Sequence, residues 1–123
     1  MYNDIVLDHL SNPRNIGTIE FPDGIGHTGN ASDGDKITIC IKVEKNIISD
    51  IKLKVFGCGA AIASGSMLTQ LALGRTIEEA LRITNDDVAS ALGGLPQQKL
   101  LCSNIAATAL HNAIEDYKNR FQA

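Results

Sequence analysis

The chain has 123 residues, 44% of them hydrophobic, with a formal net charge of −3. That length supports one modest core, and the apolar share is ordinary for a globular domain and too high for a disordered chain. The 11 Lys and Arg residues are scattered, which excludes both a phosphate-tracking nucleic-acid surface and a polybasic membrane anchor, and no apolar run approaches the roughly 20 residues of a membrane span.

The opening Met1-Tyr2-Asn3-Asp4 lacks the charged-then-apolar plan of a signal peptide. The expectation is one domain over residues 1–123, located in the cytoplasm. With no Trp, two Tyr and three Phe, the core must be built from Ile, Leu, Val and Ala. Three cysteines at wide spacings do not form a disulfide framework. In a reducing compartment they are buried thiols, metal ligands or nucleophiles.

In chain order, residues 2–10 carry Ile5, Val6, Leu7 and Leu10 and predict a short amphipathic helix. The turn residues of Ser11-Asn12-Pro13-Arg14-Asn15-Ile16-Gly17 stop it. The glycine-punctuated stretch from Gly24 to Gly29 has room for one short strand. Residues 36–43 then alternate strictly, with Ile37, Ile39, Ile41 and Val43 on one face and Thr38, Cys40 and Lys42 on the other. Residues 47–56 repeat the pattern, with Ile51, Leu53 and Val55 opposed to Lys52 and Lys54. Glu44-Lys45-Asn46 between them predicts a hairpin turn. One greasy and one wet face describe an antiparallel sheet covered on one side.

From Gly59 the texture becomes helical. Residues 60–73 are rich in Ala, Leu, Met and Ile, and Gly74 suits a C-terminal cap. Thr76 and Glu79, three apart, form a capping-box signature. Asn85 or Asp86 is expected to cap a further helix ending at Gly93-Gly94, and Leu95-Pro96 forces a break. Ser103 or Asn104 then caps a last helix, whose stripe is Ile105, Ala109, Leu110, Ala113, Ile114 and Tyr117. Strands first and helices later give an α+β fold, a small three-stranded antiparallel sheet packed against helices.

Cys58 falls between the end of a strand and the start of a helix, flanked by Gly57 and Gly59, which permit tight turning and close approach. A helix N-terminus favours negative charge and hence a reactive thiolate. Cys102 has a similar setting before the last helix. Two such cysteines suggest one shared site; the alternative, two small buried hydrophobes, stays open. Asp33-Gly34-Asp35 pairs carboxylates around Gly in a polar loop, which suits hard metal ligands but equally an ordinary turn. Cys40 reads as structural. His9, near the end of the first helix, sits where a cation is welcome. His111 reads as a surface partner of Glu115, four residues on. Nothing supplies the base and orienting group that a Cys–His hydrolase needs.

Three ordered motifs resemble the IscU/NifU-type scaffolds of iron–sulfur cluster assembly. Asp8-His9-Leu10-Ser11-Asn12-Pro13-Arg14-Asn15-Ile16-Gly17 is similar to their Asp-His-aromatic-x-Asn-Pro-Arg-Asn-Val-Gly opening. Phe56-Gly57-Cys58-Gly59-Ala60-Ala61-Ile62-Ala63-Ser64 resembles the central cysteine motif. Gly93-Gly94-Leu95-Pro96-Gln97-Gln98-Lys99 followed by Cys102-Ser103 is similar to the third segment. The resemblance implies a non-enzymatic scaffold or carrier that receives sulfur from a cysteine desulfurase, binds iron or a [2Fe–2S] cluster, and hands it to apo recipient proteins.

Carried over residue by residue, the resemblance makes Cys58 and Cys102 cluster ligands and sulfur acceptors. Asp35 corresponds to the Asp of the family's Cys-Gly-Asp motif. Two positions depart: Asp33 stands where the family has its first cysteine, and Leu101 where it has a histidine. Asp33 can still offer oxygen to iron or zinc, although thiolate suits iron–sulfur chemistry better. A [2Fe–2S] cluster usually takes four protein ligands. Asp33, Asp35, Cys58 and Cys102 complete such a set within one chain; two chains each giving Cys58 and Cys102 to a bridged homodimer complete another. The departures motivate two alternatives, a persulfide-accepting sulfur-transfer partner of the desulfurase and a metal-free regulatory partner. The segment Leu95-Pro96-Gln97-Gln98-Lys99 has a polar middle, unlike the Leu-Pro-Pro-Val-Lys by which some members engage a chaperone.

Overall fold

The computed structural model describes residues 3–30, 34–93 and 105–121. Helix α1 spans Asp4–Ser11. Its N-cap Asn3 accepts the Val6 N–H through Oδ1 at 2.9 Å, satisfying one of the donors that a helix start leaves free. Three strands follow, β1 at Gly24–Asn30, β2 at Asp35–Glu44 and β3 at Ile47–Phe56. They form one antiparallel sheet in the order β1-β2-β3. Lys45 and Asn46, with φ of 53° and 66°, join the paired residues Glu44 and Ile47. Two consecutive positive φ values are what a tight two-residue hairpin needs to match the twist of its strands.

The predicted alternation holds on the inner face, where Ile37, Ile39, Ile41, Ile51 and Leu53 are fully buried. On the outer face one expectation fails. Cys40, assigned to the wet side, is only 4% exposed. The chain before β1 crosses this face: Lys42 Nζ donates to the Phe21 carbonyl at 3.1 Å, and Gly17 lies against the stem of Lys52, the register partner of Cys40. That segment also pairs with β3, the Gly17 N–H donating to the Leu53 carbonyl and the Leu53 N–H to the Asn15 carbonyl. At the other end of β3, Ile47 bridges to Thr76.

Helix α2, Gly59–Ala72, packs on β3 and is buried nearly all round, which explains its run of Ala and Gly. Helix α3, Ile77–Leu81, opens with the predicted capping box between Thr76 and Glu79. Helix α4, Asn85–Ala91, is capped by Thr84 rather than by Asn85 or Asp86. The Thr84 hydroxyl takes the Asp87 N–H at 3.1 Å while Asp87 returns to the Thr84 N–H at 2.9 Å. Asn85 is instead directed outward from α4, its Oδ1 accepting the Ala107 N–H at the start of the next helix.

Helix α5, Ala106–Phe121, lies across β1 and β2, burying Ala109, Leu110, Ala113 and Ile114 as its stripe predicts. Gly26 makes this approach possible. A Cβ there would fall on the Ala109 carbonyl oxygen and the Ala113 nitrogen, both backbone atoms of α5, and 2.9 Å from the Asn112 carbonyl carbon. The sequence-predicted caps Ser103 and Asn104 lie outside the described residues.

Helix α1 departs from its expected amphipathic stripe. Val6 and His9 are the residues it buries, whereas Ile5 and Leu7 are exposed. It docks on α2 through polar groups. His9 Nδ1 and Ser66 Oγ share a hydrogen bond of 2.7 Å, and Ser66 Oγ also accepts the Arg14 N–H at 2.9 Å. Asn15 donates to Thr69 Oγ1 at 2.9 Å, and that hydroxyl donates to the Ser66 carbonyl. Among the described residues, no helix is long and apolar enough to cross a membrane.

A candidate metal and sulfur site at the start of helix α2

Strand β3 ends at Phe56, the chain turns at Gly57, and Cys58 is the N-cap of α2, with extended dihedrals φ −71° and ψ 170°. An ordinary N-cap side chain would accept a free N–H of the first turn, but the Cys58 side chain makes no such bond. A carboxylate from another strand stands at this turn instead. Asp35, the first residue of β2, accepts the Cys58 N–H through Oδ1 at 3.0 Å. Its other oxygen, Oδ2, lies 3.9 Å from the Cys58 thiol. Lys36 and Phe56 are register partners, so strand pairing is what sets Asp35 beside Gly57.

Asp35 is 2% exposed, and the buried carboxylate is held by a charge-assisted bond at a helix N-terminus, where negative charge is favoured. Cys58 is half-buried and carries a free thiol. The described part of the predicted site is therefore one soft donor and one hard donor in contact. The polar-turn reading of Asp35 is replaced by a buried strand position. Asp33, Leu101 and Cys102 lie outside the described residues. Among the described residues, no group of three or more His, Cys, Asp or Glu is placed to hold a metal ion. Cys40 is buried in the sheet, as its structural reading requires.

The histidines have other duties. His9 is not the exposed cation expected of a helix end. It is 3% exposed, and burial, reinforced by the nearby Arg14 guanidinium and opposed by Asp8, lowers its pKa and so favours the neutral ring. The Asp8 carboxyl is held below its usual range by the hydrogen bond from Arg14, whose Nη2 donates at 2.6 Å. His111 does not depend on Glu115 for a partner: its Nε2–H donates to the Ile83 carbonyl at 2.8 Å, tying α5 to the turn between α3 and α4. The close approach that Gly57 was expected to permit is made by Asp35, whereas the docking roles of Ser66 and Thr69 do not follow from the sequence pattern. Two hydroxyl residues three apart on a largely apolar helix are the available signal for Ser66 and Thr69.

A strand–Gly–Cys–helix turn beside a buried strand Asp, behind a polar N-terminal docking segment, matches a known family over the whole chain. Residues 1–123 match the NifU-like N terminal domain, and the chain belongs to that family. Within it the relatives are of the IscU type. The chain is 62% identical over 117 residues to the iron-sulfur cluster assembly scaffold protein IscU 1 of Archaeoglobus fulgidus, covering 95% of this chain and 76% of that one. It is 45% identical over 123 residues to the iron-sulfur cluster assembly scaffold protein IscU of Azotobacter vinelandii, covering 97% and 95%. The crystal structure of a NifU-like N-terminal protein from Brucella abortus shares the fold at a TM-score of 0.77 and 19% identity, over 96% of this chain and 94% of that one.

Proposed function

We propose that this protein is a scaffold for iron–sulfur cluster assembly, taking sulfur from a cysteine desulfurase and holding iron or a [2Fe–2S] cluster as cargo for apo recipient proteins. The observation that carries the reading is the contact between the half-buried Cys58 thiol and the buried Asp35 carboxylate at the start of α2, in a chain 62% identical to a named scaffold. Thiolate is the ligand that iron–sulfur clusters favour, and a carboxylate beside it suits iron before sulfide arrives. Cys102 is the second thiol of the set, and Asp33 a further oxygen donor. In sulfur delivery the Cys58 or Cys102 thiolate attacks the outer sulfur of the desulfurase persulfide; a new S–S bond forms and the desulfurase thiolate leaves.

The test is anaerobic reconstitution with iron, cysteine, a desulfurase and a thiol reductant, followed by visible absorption and iron, zinc and sulfide analysis per chain. Cluster bands with sulfide equal to iron support the scaffold, and one cluster per two chains supports a bridged homodimer. Protein that never acquires iron and sulfide together refutes it. The presence of Asp33 and Leu101 favours a second reading, sulfur acceptance without a cluster, which gives persulfide on Cys102 and no chromophore. A metal-free regulator of the desulfurase would be indifferent to Cys58→Ala and Cys102→Ala.

A further inference from the structure

We propose that Gly57, which has no side chain to offer a metal, is the positioning residue that fixes how Asp35 meets the cargo: one carboxylate oxygen is tied down and the other alone is presented beside the Cys58 thiol. This inference rests on the scaffold reading, in which Asp35 and Cys58 face the cargo metal together.

Three observations carry it. First, the two oxygens of Asp35 are unequal. Oδ1 accepts the Cys58 backbone N–H at 3.0 Å, and Oδ2 faces the Cys58 sulfur at 3.9 Å. Second, the carboxylate occupies the space that a side chain at residue 57 would need. A Cβ on Gly57 would fall on Asp35 Oδ1, 2.8 Å from Cγ and 3.1 Å from the Asp35 Cβ. Third, Asp35 is 2% exposed on the first residue of a paired strand, so its short side chain cannot retreat without leaving the Cys58 N–H. Gly57 also has φ +156°, a backbone conformation that L side chains rarely adopt.

Chemically, the bond from the Cys58 N–H to Oδ1 fixes the rotation of the carboxylate and aims Oδ2 beside the thiol. A metal held on that sulfur would therefore meet Oδ2 first, although each carboxylate oxygen has a second acceptor site. A monodentate oxygen held by an outer hydrogen bond is an oriented donor, of the kind whose supporting group typically changes metal affinity roughly 10- to 100-fold when removed. The Cys58 residue then acts twice, with its sulfur as donor and its N–H as the restraint on the neighbouring oxygen.

The experiment is an anaerobic titration of the metal-free full chain with Co²⁺ alone, whose thiolate charge-transfer and d–d bands report the donor set. Four proteins are compared with the parent: Gly57→Ala, Asp35→Ala, the double variant, and Asp35→Asn. Gly57→Ala is expected to weaken Co²⁺ binding by about tenfold or more and to move the d–d bands in the same direction as Asp35→Ala. The double variant should add nothing beyond Asp35→Ala, because both changes remove one interaction. Parent-like bands and affinity in Gly57→Ala, alongside altered bands in Asp35→Ala, would overturn the positioning role while leaving Asp35 a ligand. An unchanged spectrum in Asp35→Ala would remove the ligand role itself, and the inference with it.

Asp35→Asn decides the matter should Gly57→Ala fold poorly. Only the amide oxygen can accept the Cys58 N–H, so the –NH₂ group is turned toward the thiol and cannot ligate. Asp35→Asn is therefore expected to give the Co²⁺ spectrum of Asp35→Ala with an unfolding midpoint nearer the parent's. A parent-like Co²⁺ spectrum in Asp35→Asn would show that the bonded oxygen is the ligand, and would overturn the inference.

Discussion

Replacing Asp35 by Ala removes the carboxylate that stands in for a side-chain cap on α2. The lost interaction is a charge-assisted hydrogen bond to the Cys58 N–H at 3.0 Å, worth roughly 1.5–3 kcal/mol. Favourable placement of the charge at the helix N-terminus adds about 0.3–1 kcal/mol. Against this, Ala no longer keeps a carboxylate out of water, and half-buried Cys58 lets solvent reach the freed N–H. The net loss is about 2 kcal/mol. For a domain of this size that lowers the melting midpoint by roughly 8 °C. Asp35→Asn keeps a neutral acceptor and should lose about half as much. The assay is thermal unfolding of the metal-free protein with chelator present, followed by circular dichroism. An Asp35→Ala midpoint within 2 °C of the parent (about 0.5 kcal/mol), or Asn as damaging as Ala, would refute the assignment of Asp35 as the cap.

His9 should make the fold acid-sensitive. Its pKa is lowered in the folded state, so as pH falls below about 6.5 the unfolded chain takes up the proton first. The contribution is full above about 6.5 and is lost as pH falls through the lowered folded value; His9→Gln should flatten the slope of urea-unfolding free energy between pH 7 and 5, and an unchanged slope would reject this. Gly26→Ala meets the backbone of α5, which cannot yield locally, and should cost about 3 kcal/mol in urea unfolding; a loss below about 1 kcal/mol would show that β1 and α5 separate easily. Alkylation of the native protein with iodoacetamide, read by peptide mass spectrometry, should modify half-buried Cys58 well before Cys40, which is 4% exposed; equal rates would contradict the burial of Cys40.

Much of the fold was legible because its signals are local. Alternation from Ile37 to Val55, the positive-φ turn at Lys45 and Asn46, and the Thr76–Glu79 box each depend on a few neighbouring residues, and each is realised. The failures involve contacts distant in sequence. Alternation puts Cys40 on the wet face, although it reads as structural, because the pattern cannot know that residues 17 to 21 cross that face. Position near a helix end suggests a cation at His9, because its actual partner, Ser66, is 57 residues away in sequence. The Thr84 cap was missed since Asn85 is the better local capping residue, yet its side chain is engaged with Ala107 on another helix. In the site, Cys58 was found from its glycines and helix start. That Asp35 contacts it follows from the register of Lys36 with Phe56, which sequence periodicity leaves free.

The short stretch from Asn15 to Gly17 that bonds to Leu53 has a consequence for solubility. Strand β3 is the margin of a three-stranded sheet, and a bare margin is a template on which a second chain can add itself. Here that template is interrupted twice, by Ile16 at Leu53 and by Thr76 at Ile47, and the exposed Lys54 puts a charge on the strand that disfavours edge pairing. The free edge of β3 is thereby kept from pairing with a second copy of the chain. Loosening the Asn15–Gly17 stretch would therefore register first as aggregation.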